Sequence, residues 1–383
     1  MNRRPPDAGG LGAHPLTSRV VPAGAWNEVE PAWSAVFAAS AARSFFLSPE
    51  WVGAWLETYG TALHAEVALF EDGGSPVGAA VLASRVTRLG FVPLRRLYFH
   101  TAGEPDADSA AVEHVAPLCR PERSGAVLLA LGALVRARTW DELVLSGISE
   151  AGLEQLSHAV PGLAVETEWR PTYLVDLARL RSSGARYDSV LSRNTRDQLK
   201  RSLKLYRARG EPALRFAATP DEALALPAEL GALHQARWEA RGGSGAFASA
   251  HWRAFHERLI ARAFPRGGVQ LARVSVGDAT VGLLYNFVQD GTVAFYQSGF
   301  RYEEDNRLKP GLVTHALVIQ ECIDQGLDVY DFLAGDPAGS RYKESLSTGT
   351  VNVAWSVIRR PTMRSRVVAA LRRIKRRLPG RKP

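Results

Sequence analysis

The chain has 383 residues, of which 46% are hydrophobic and 22% are charged, and its formal net charge is +8. This length exceeds one ordinary hydrophobic core and predicts two domains, while the composition excludes a disordered or membrane-embedded protein. Two cysteines, Cys119 and Cys322, exclude a disulfide framework and a clustered cysteine metal site. We therefore expect a cytoplasmic protein without a bound metal.

The positive charge is concentrated at the C-terminus. Residues 359–383 contain 11 of the 47 lysines and arginines and no acidic residue, which leaves 36 basic and 39 acidic residues in the rest of the chain. A folded body with a net charge of −3 is not a bulk nucleic-acid binder, so we do not expect nucleic acid as a partner.

The first half of the chain reads as a mixture of helices and strands. Residues 1–18 are rich in proline, glycine and alanine and are predicted to be disordered. Ser48-Pro49-Glu50 is typical of a helix start, and the aromatic residues that follow at a spacing of four are interpreted as core packing. These aromatic residues are Trp51, Trp55 and Tyr59. Further on, the pattern predicts strands at 65–70, 77–88, 94–99 and 142–145 and a helix at 126–138, with a hairpin turn at residues 72–75.

The second half repeats this order of elements. The pattern predicts strands at 173–176, 213–216, 269–276, 280–289, 292–299, 329–332 and 351–358, and helices at 187–209, 221–241, 251–263 and 311–325, with a helix or loop at 340–346. Two mixed α/β halves of similar size predict a tandem arrangement of domains at residues 19–169 and 170–358, followed by a tail at 359–383.

The predicted helix at 187–209 carries many basic residues. The favoured interpretation is a solvated face, with four apolar residues turned inward. These are Val190, Leu199, Leu203 and Tyr206. A patch for an anionic acceptor is the alternative.

The residues before the helix at 311–325 could bind an anion. Arg307-Leu308-Lys309-Pro310-Gly311 follows a strand, Pro310 presets the first helical turn, and Gly311 permits close approach of a ligand. The first N–H groups of a helix and its positive dipole end favour a pyrophosphate, and Lys309 adds positive charge. The alternative interpretation is that Pro310 and Gly311 only mark the start of the helix and bind no ligand.

Three residues further along could act in catalysis. Asp331 ends the last central strand, where sites of α/β sheets lie. Lys343 could stabilise developing negative charge, and Tyr342 could protonate a leaving group. Each of the three could equally be an ordinary surface or core residue.

Five motifs occur in the order found in one known family. They are Phe46-Leu-Ser-Pro-Glu-Trp51, Leu233-His-Gln-Ala-Arg-Trp238, Lys309-Pro-Gly311, Asp331-Phe-Leu-Ala-Gly-Asp336 and Tyr342-Lys343. Over residues 20–358 the chain resembles the BioF2-like (CelD-like) group of GNAT acetyltransferases, which is related to the FemAB aminoacyltransferases. The resemblance implies tandem GNAT-like domains, each with a mixed central sheet flanked by helices.

The resemblance also implies the chemistry. It implies transfer of an acyl group from acyl-CoA to an amine of a cell-envelope, polysaccharide or lipid acceptor. Alternatives are a FemAB-like transferase that uses aminoacyl-tRNA, and an inactive scaffold with this fold. The general GNAT loop, Gln/Arg-x-x-Gly-x-Gly/Ala, is replaced here by residues 307–311, which have a single glycine.

The residue patterns assign three candidate roles. The candidate cofactor-binding residues are Arg307, Leu308, Lys309 and Gly311; the acceptor-binding residues are His234, Arg237 and Trp238, with core packing of Trp238 as the alternative; and the catalytic residues are Asp331, Tyr342 and Lys343. Asp331 ranks first among the candidate bases, ahead of His234, Glu344 and His315.

The C-terminal tail has an amphipathic pattern. Val367, Leu371, Ile374 and Leu378 recur on one face of a helix whose other positions are mostly basic. Such a helix suits the surface of an anionic membrane, which would place the protein at the inner face of that membrane. A solvated, frayed terminus is the equal alternative.

Overall fold

Thirteen strands form a single mixed sheet in the computed structural model, which describes residues 16–239, 246–334, 340–368 and 370. The first half of the chain contributes these elements: β1 Thr17–Pro22, α1 Trp26–Ala39, α2 Pro49–Trp55, β2 Glu66–Asp72, β3 Ser75–Leu89, β4 Val92–Phe99, β5 Leu118–Cys119, α3 Ser124–Ala137, β6 Glu142–Ser149, α4 Glu150–Ala159 and β7 Ala164–Asp176.

The second half begins with three helices that connect β7 to β8, and it then repeats the pattern of the first half. Its elements are α5 Leu177–Ser183, α6 Tyr187–Val190, α7 Arg193–Arg207, β8 Pro212–Phe216, α8 Pro220–Glu239, α9 Ala250–Ala263, β9 Val269–Val276, β10 Ala279–Gln289, β11 Thr292–Phe300, α10 Pro310–Asp324, β12 Val329–Asp331, α11 Ser340–Leu346 and β13 Gly349–Arg359.

The strand order shows two copies of one motif that exchange their last strands. The order is β1-β2-β3-β4-β6-β13-β7-β12-β11-β10-β9-β8, and β5 pairs with β3. The β4–β6 and β11–β12 pairs are parallel and occupy equivalent places in the two copies. The last strand of each copy lies in the other one, because β7 pairs with β12 and β13 pairs with β6. The structure confirms the predicted mixed α/β class and its tandem arrangement.

Two boundaries differ from the sequence predictions. The predicted helix at 187–209 is two helices, because Ser192 leaves the helical conformation and its side chain caps α7 by accepting the N–H of Thr195. Val190, predicted to face inward, is exposed. Residues 173–176, predicted as a short strand, are the end of the longer strand β7, which begins at Ala164 and continues through Pro171. The predicted domain boundary between residues 169 and 170 falls inside this strand.

The chain termini are partly described. Thr17 and Ser18 pair with β2, so they belong to a strand although the segment of residues 1–18 was predicted to be disordered. At the other end, residues 363–368 are helical and dock on the first half through Val368, which is buried against Val92 and Leu94. Leu371, Ile374 and Leu378 of the predicted amphipathic face lie outside the described residues.

Aromatic side chains join the two copies. The predicted stripe of α2 lies in the core, and the Trp51 ring packs edge-on against Phe46, Phe255 and Phe287 with centroids 4.8, 5.0 and 5.6 Å away. Its indole N–H donates to the hydroxyl of Thr101 at 2.8 Å. Trp51 therefore links α2 of the first copy to α9 and β10 of the second.

We expect Trp51→Ala to lower the free energy of unfolding by about 3–5 kcal/mol, because it removes a fully buried indole and leaves a cavity between the copies. The matched control is Trp169→Ala, since Trp169 is half-exposed on β7 and its loss should cost about 0.5 kcal/mol or less. Denaturation in urea measures both. Equal losses in the two variants would contradict a central role for Trp51.

Candidate active site

The sheet opens between β11 and the chain that follows β12. The two strands pair in parallel only as far as Ala294 and Asp331. Beyond this point β11 continues to Phe300 against β10, whereas the chain leaves the sheet after Asp331. Among the described residues, the backbone of β11 after Ala294 has no strand partner on this side, so its polar groups can meet a ligand.

Asp331 lies at the base of this opening. Its side chain accepts hydrogen bonds from the hydroxyl of Thr172 and, at 2.7 Å, from the N–H of Leu333. Its Oδ2 lies 2.7 Å from Nε2 of His114, which comes from the first half of the chain. This contact is an ion pair only when the imidazole is protonated. Asp331, ranked first as the base, is thus surrounded by donors.

His114 has the environment of a general base. Burial lowers the pKa of its imidazole, but the Asp331 carboxylate outweighs burial, with Glu113 adding to it, and the pKa lies above its ordinary value. Its backbone is left-handed, with φ of +54°, and so is that of Leu333, with φ of +56°. Non-glycine residues held in this conformation are strained and concentrate at functional sites.

A second link joins the two halves beside this pair. The Glu113 carboxylate accepts the N–H of Ala334 at 2.7 Å. The buried ammonium of Lys343 donates to the carbonyls of Leu333 at 2.8 Å and Ala334 at 3.2 Å. Through these two hydrogen bonds Lys343 holds the chain after Asp331 in place.

The opposite face of the sheet carries a different set of side chains. Successive residues of a strand point to opposite faces, so Tyr330 lies on the other side from Asp331. The buried His315 of α10 joins Nδ1 to the Tyr330 hydroxyl at 3.1 Å and Nε2 to the Tyr342 hydroxyl at 3.3 Å. Burial, with a further contribution from Lys343, lowers the pKa of His315 to about 3, so this imidazole is neutral at physiological pH.

The tautomer of His315 follows from its neighbour. Tyr330 is fully buried, and its only hydrogen-bond partner among the described residues is Nδ1 of His315. A buried hydroxyl needs an acceptor, so Tyr330 donates to Nδ1 and the ring proton lies on Nε2. Nε2–H then donates to the Tyr342 oxygen, and the hydroxyl proton of Tyr342 is directed away from His315. This arrangement suits a proton donor.

The predicted pyrophosphate loop is held by internal hydrogen bonds. The N–H of Arg307 donates to the Asp305 carboxylate, that of Leu308 to the Asp305 carbonyl, and that of Lys309 to the Ser202 hydroxyl, at 3.0, 3.0 and 2.9 Å. The Leu308 side chain is part of the core. These three amides are not open to a ligand, and any phosphate would meet the N–H groups of Gly311 and Leu312 at the start of α10.

Asp305 places a carboxylate beside this loop. It binds the Arg307 guanidinium and N–H, which outweigh slight burial and lower the pKa of Asp305 to about 2, so it is anionic at physiological pH. We expect Asp305→Asn to tighten CoA binding about fivefold, because one negative charge is removed near the phosphates. Isothermal titration with CoA measures the change. Glu150→Gln, an equal charge change on the distant α4, should leave the affinity unaltered, and weaker binding by Asp305→Asn would refute a phosphate site here.

Two cavities lie on the face that carries His114 and Asp331. One, of about 440 Å³, is lined by both residues together with Phe45 and Phe46. The other, of about 1330 Å³, extends over the first half of the sheet and includes Glu113. Its walls combine aromatic rings with guanidinium groups, from Tyr98, Trp355, Arg85, Arg96 and Arg170.

His234 and Glu344 take no part in the contacts described above. His234 packs against the Phe247 ring, with centroids 5.2 Å apart, and Glu344 is exposed on α11. The side chains of Arg237 and Trp238 lie outside the described residues. Glu113, His114 and Thr172 were not predicted from the sequence, because they lie far along the chain from Asp331 and belong to no local motif.

Within the described ranges, His, Cys, Asp and Glu side chains form no group of three or more that could hold a metal ion. No helix in the described part of the chain has the length and apolar character needed to cross a bilayer.

Comparison with known proteins identifies the domain type. Residues 193–344 match a family model described as an acetyltransferase (GNAT) domain. No curated protein resembles the chain in sequence.

Several solved structures share the fold at low sequence identity. FemX is 12% identical with a TM-score of 0.55, over 85% of this chain and 95% of its own. A conserved protein of unknown function from Bacteroides thetaiotaomicron is 13% identical with a TM-score of 0.54, over 90% and 100%. The C-terminal domain of a lysylphosphatidylglycerol synthetase from Agrobacterium fabrum is 9% identical with a TM-score of 0.53, over 91% and 95%.

Proposed function

We propose that the chain is an acyl-CoA-dependent N-acyltransferase that acylates an amine of a cell-envelope, polysaccharide or lipid acceptor, because residues 193–344 match an acetyltransferase (GNAT) domain model. One observation carries the proposal beyond the family. The opening after Ala294 and Asp331 has a histidine–carboxylate pair on one face of the sheet and a tyrosine hydroxyl beside a buried imidazole on the other. A base that takes the proton of the amine and an acid that protonates the departing thiolate both assist amine acylation.

On the acceptor side, His114 is the proposed base. Neutral His114 takes a proton from the acceptor amine as the amine nitrogen forms its bond to the thioester carbonyl carbon. Asp331 orients the ring and stabilises the imidazolium that forms. Asp331 thus becomes a positioning residue instead of the base that the sequence predicted.

On the donor side, Tyr342 is the proposed acid. As the carbon–sulfur bond breaks, the departing CoA thiolate takes the hydroxyl proton of Tyr342, and His315 stabilises the resulting phenolate through Nε2–H. N–H groups of β11 beyond Ala294 are available to polarise the thioester carbonyl. Lys343 keeps the opposite wall of the opening in place.

The large cavity is the proposed acceptor site. It lies on the His114 face, and Glu113 connects it to the opening. The Arg170 guanidinium lies 4.3 Å above the Trp355 ring, which leaves a flat surface of the kind that stacks against a sugar or a base. Arg85 binds only the carbonyl of Gly103 among the described residues, so its charge is available for a phosphate or carboxylate. These features support a polar, anionic acceptor.

Thermal denaturation with CoA, acetyl-CoA and longer acyl-CoAs tests the donor. A ligand that binds only the native state at about 100 times its Kd adds about 2.7 kcal/mol of stability, so a clear rise in Tm is expected. Stabilisation by aminoacyl-tRNA but by no acyl-CoA would favour the FemAB-like alternative. Stabilisation by neither would favour an inactive scaffold.

A further inference from the structure

A group of exposed apolar side chains lies where the C-terminal helical segment meets the β3–β4 hairpin. Phe91, at the hairpin tip, is 83% exposed, Met363 is 75% exposed and Val367 is 40% exposed. The hairpin and the segment are held together by one small core, formed by Val92, Leu94 and Val368. An exposed apolar group of this kind marks an interaction surface.

The same surface is basic. Arg366 in the segment is exposed, and Arg364 is half-exposed. The nearest acid to Arg364 is Asp141 at 3.8 Å, which already binds Arg95 at 3.0 Å. From Val368 the chain continues to residue 383 with seven further lysines and arginines and no acidic residue.

The position of this surface is fixed by the folded body. Thr362 donates to the Asp141 carboxylate at 2.9 Å, and Ser365 donates to the Asp141 carbonyl at 3.3 Å. The Arg360 guanidinium lies 4.1 Å from the centre of the Trp140 ring. The helical segment up to Val368 is therefore held beside the hairpin.

We propose that Phe91, Met363 and Val367, together with Arg364 and Arg366, form a docking surface for an anionic lipid bilayer. Aromatic and aliphatic side chains insert at the headgroup boundary, and the arginines bind acidic headgroups. This extends the contact predicted for the tail alone to the folded body and gives the bound protein one orientation.

The docking surface lies far from the opening at Asp331. Gly349, Leu174 and Asp331 share one row of the sheet, and β13 runs from this row to Arg359, beside Glu142. Ten residue steps at about 3.3 Å each separate the two ends by about 33 Å. Substitutions on the docking surface should therefore leave acyl-CoA binding unchanged.

Vesicle co-sedimentation of the full chain tests the proposal. The vesicles contain phosphatidylcholine alone or mixed with phosphatidylglycerol. We expect binding to the mixed vesicles only, weakened by salt, and a loss of about tenfold or more in Phe91→Ser/Met363→Ser because two apolar anchors are removed. The control is Leu129→Ser, since Leu129 is 72% exposed on α3, away from this surface.

The outcomes separate the proposal from its alternatives. Equal binding by the double variant and the unaltered chain would show that the tail alone binds lipid and would overturn docking of the folded body. Absence of binding by the unaltered chain would overturn membrane docking altogether. The Tm shift with acyl-CoA, measured on the same samples, checks folding and keeps this result separate from that of the proposed enzymatic activity.

Discussion

Replacing His114 by glutamine is expected to lower kcat for acyl transfer by about 10²- to 10³-fold, because glutamine keeps the polarity of the side chain but cannot accept the proton of the acceptor amine. Release of free CoA thiol from acetyl-CoA, followed across a panel of amines, measures the rate. His158→Gln is the matched control, since His158 is exposed on α4 and lies outside the opening.

The pH dependence separates a base from a structural histidine. Only neutral His114 can accept a proton, so kcat/KM should rise with pH through the pKa of His114. Asp331 raises that pKa, whereas burial alone would lower it below the ordinary value of 6.5. Asp331→Asn should therefore shift the acid limb of the profile to lower pH while it reduces the maximum rate.

Two results would contradict these roles. Full activity in His114→Gln would remove His114 from the mechanism. An acid limb at unchanged pH in Asp331→Asn would show that the carboxylate does not tune the base, even if the rate falls. Unchanged Tm in both variants would exclude loss of folding as the cause.

The second large effect is expected at Tyr342. Tyr342→Phe removes the proposed proton donor and should lower kcat with acyl-CoA by about 10- to 100-fold, with little change in CoA affinity. The loss should shrink with a thioester of a more acidic thiol, because such a leaving group departs without a proton. A structural role for Tyr342 would reduce both rates equally.

Tyr330→Phe tests how Tyr342 is oriented. Without the Tyr330 hydroxyl, Nδ1 of His315 can carry the ring proton, and Nε2 becomes an acceptor that competes for the Tyr342 proton. An intermediate loss of kcat is expected, again smaller with the activated thioester. Tyr302→Phe, a change at a half-exposed tyrosine, is the control. Unaltered kinetics in Tyr330→Phe would separate His315 from the acid.

Local chemistry in the sequence was enough to predict most elements of the second half. Strand β9 has the predicted bounds. Strands β10 and β11 are joined by a turn at Asp290-Gly291, where both residues have positive φ. Turn residues and alternating burial depend on a few neighbouring residues, so the local sequence predicts the positions of these strands and turns. The start of α10 at Pro310 follows the same logic.

Contacts between distant segments were not predictable in this way. Pro171 is an unfavourable residue inside a strand, but it lies in β7 opposite Asn352 of β13. Pairing with this distant strand decides between local alternatives of similar energy. The break at Ser192 has a local cause, because its side chain caps α7 by accepting the N–H of Thr195.

Amino-acid order alone predicts two mixed α/β halves and a strand, helix and strand around Asp331. It also places the excess positive charge at the C-terminus.

Three features become visible only in the folded chain. The halves exchange their last strands, His114 meets Asp331 across 217 positions of the chain, and Val368 packs beside the hairpin that carries Phe91. Strand exchange and side-chain pairing between the halves depend on the packing of the whole sheet. Neither segment therefore carries a periodic sequence pattern that would predict them.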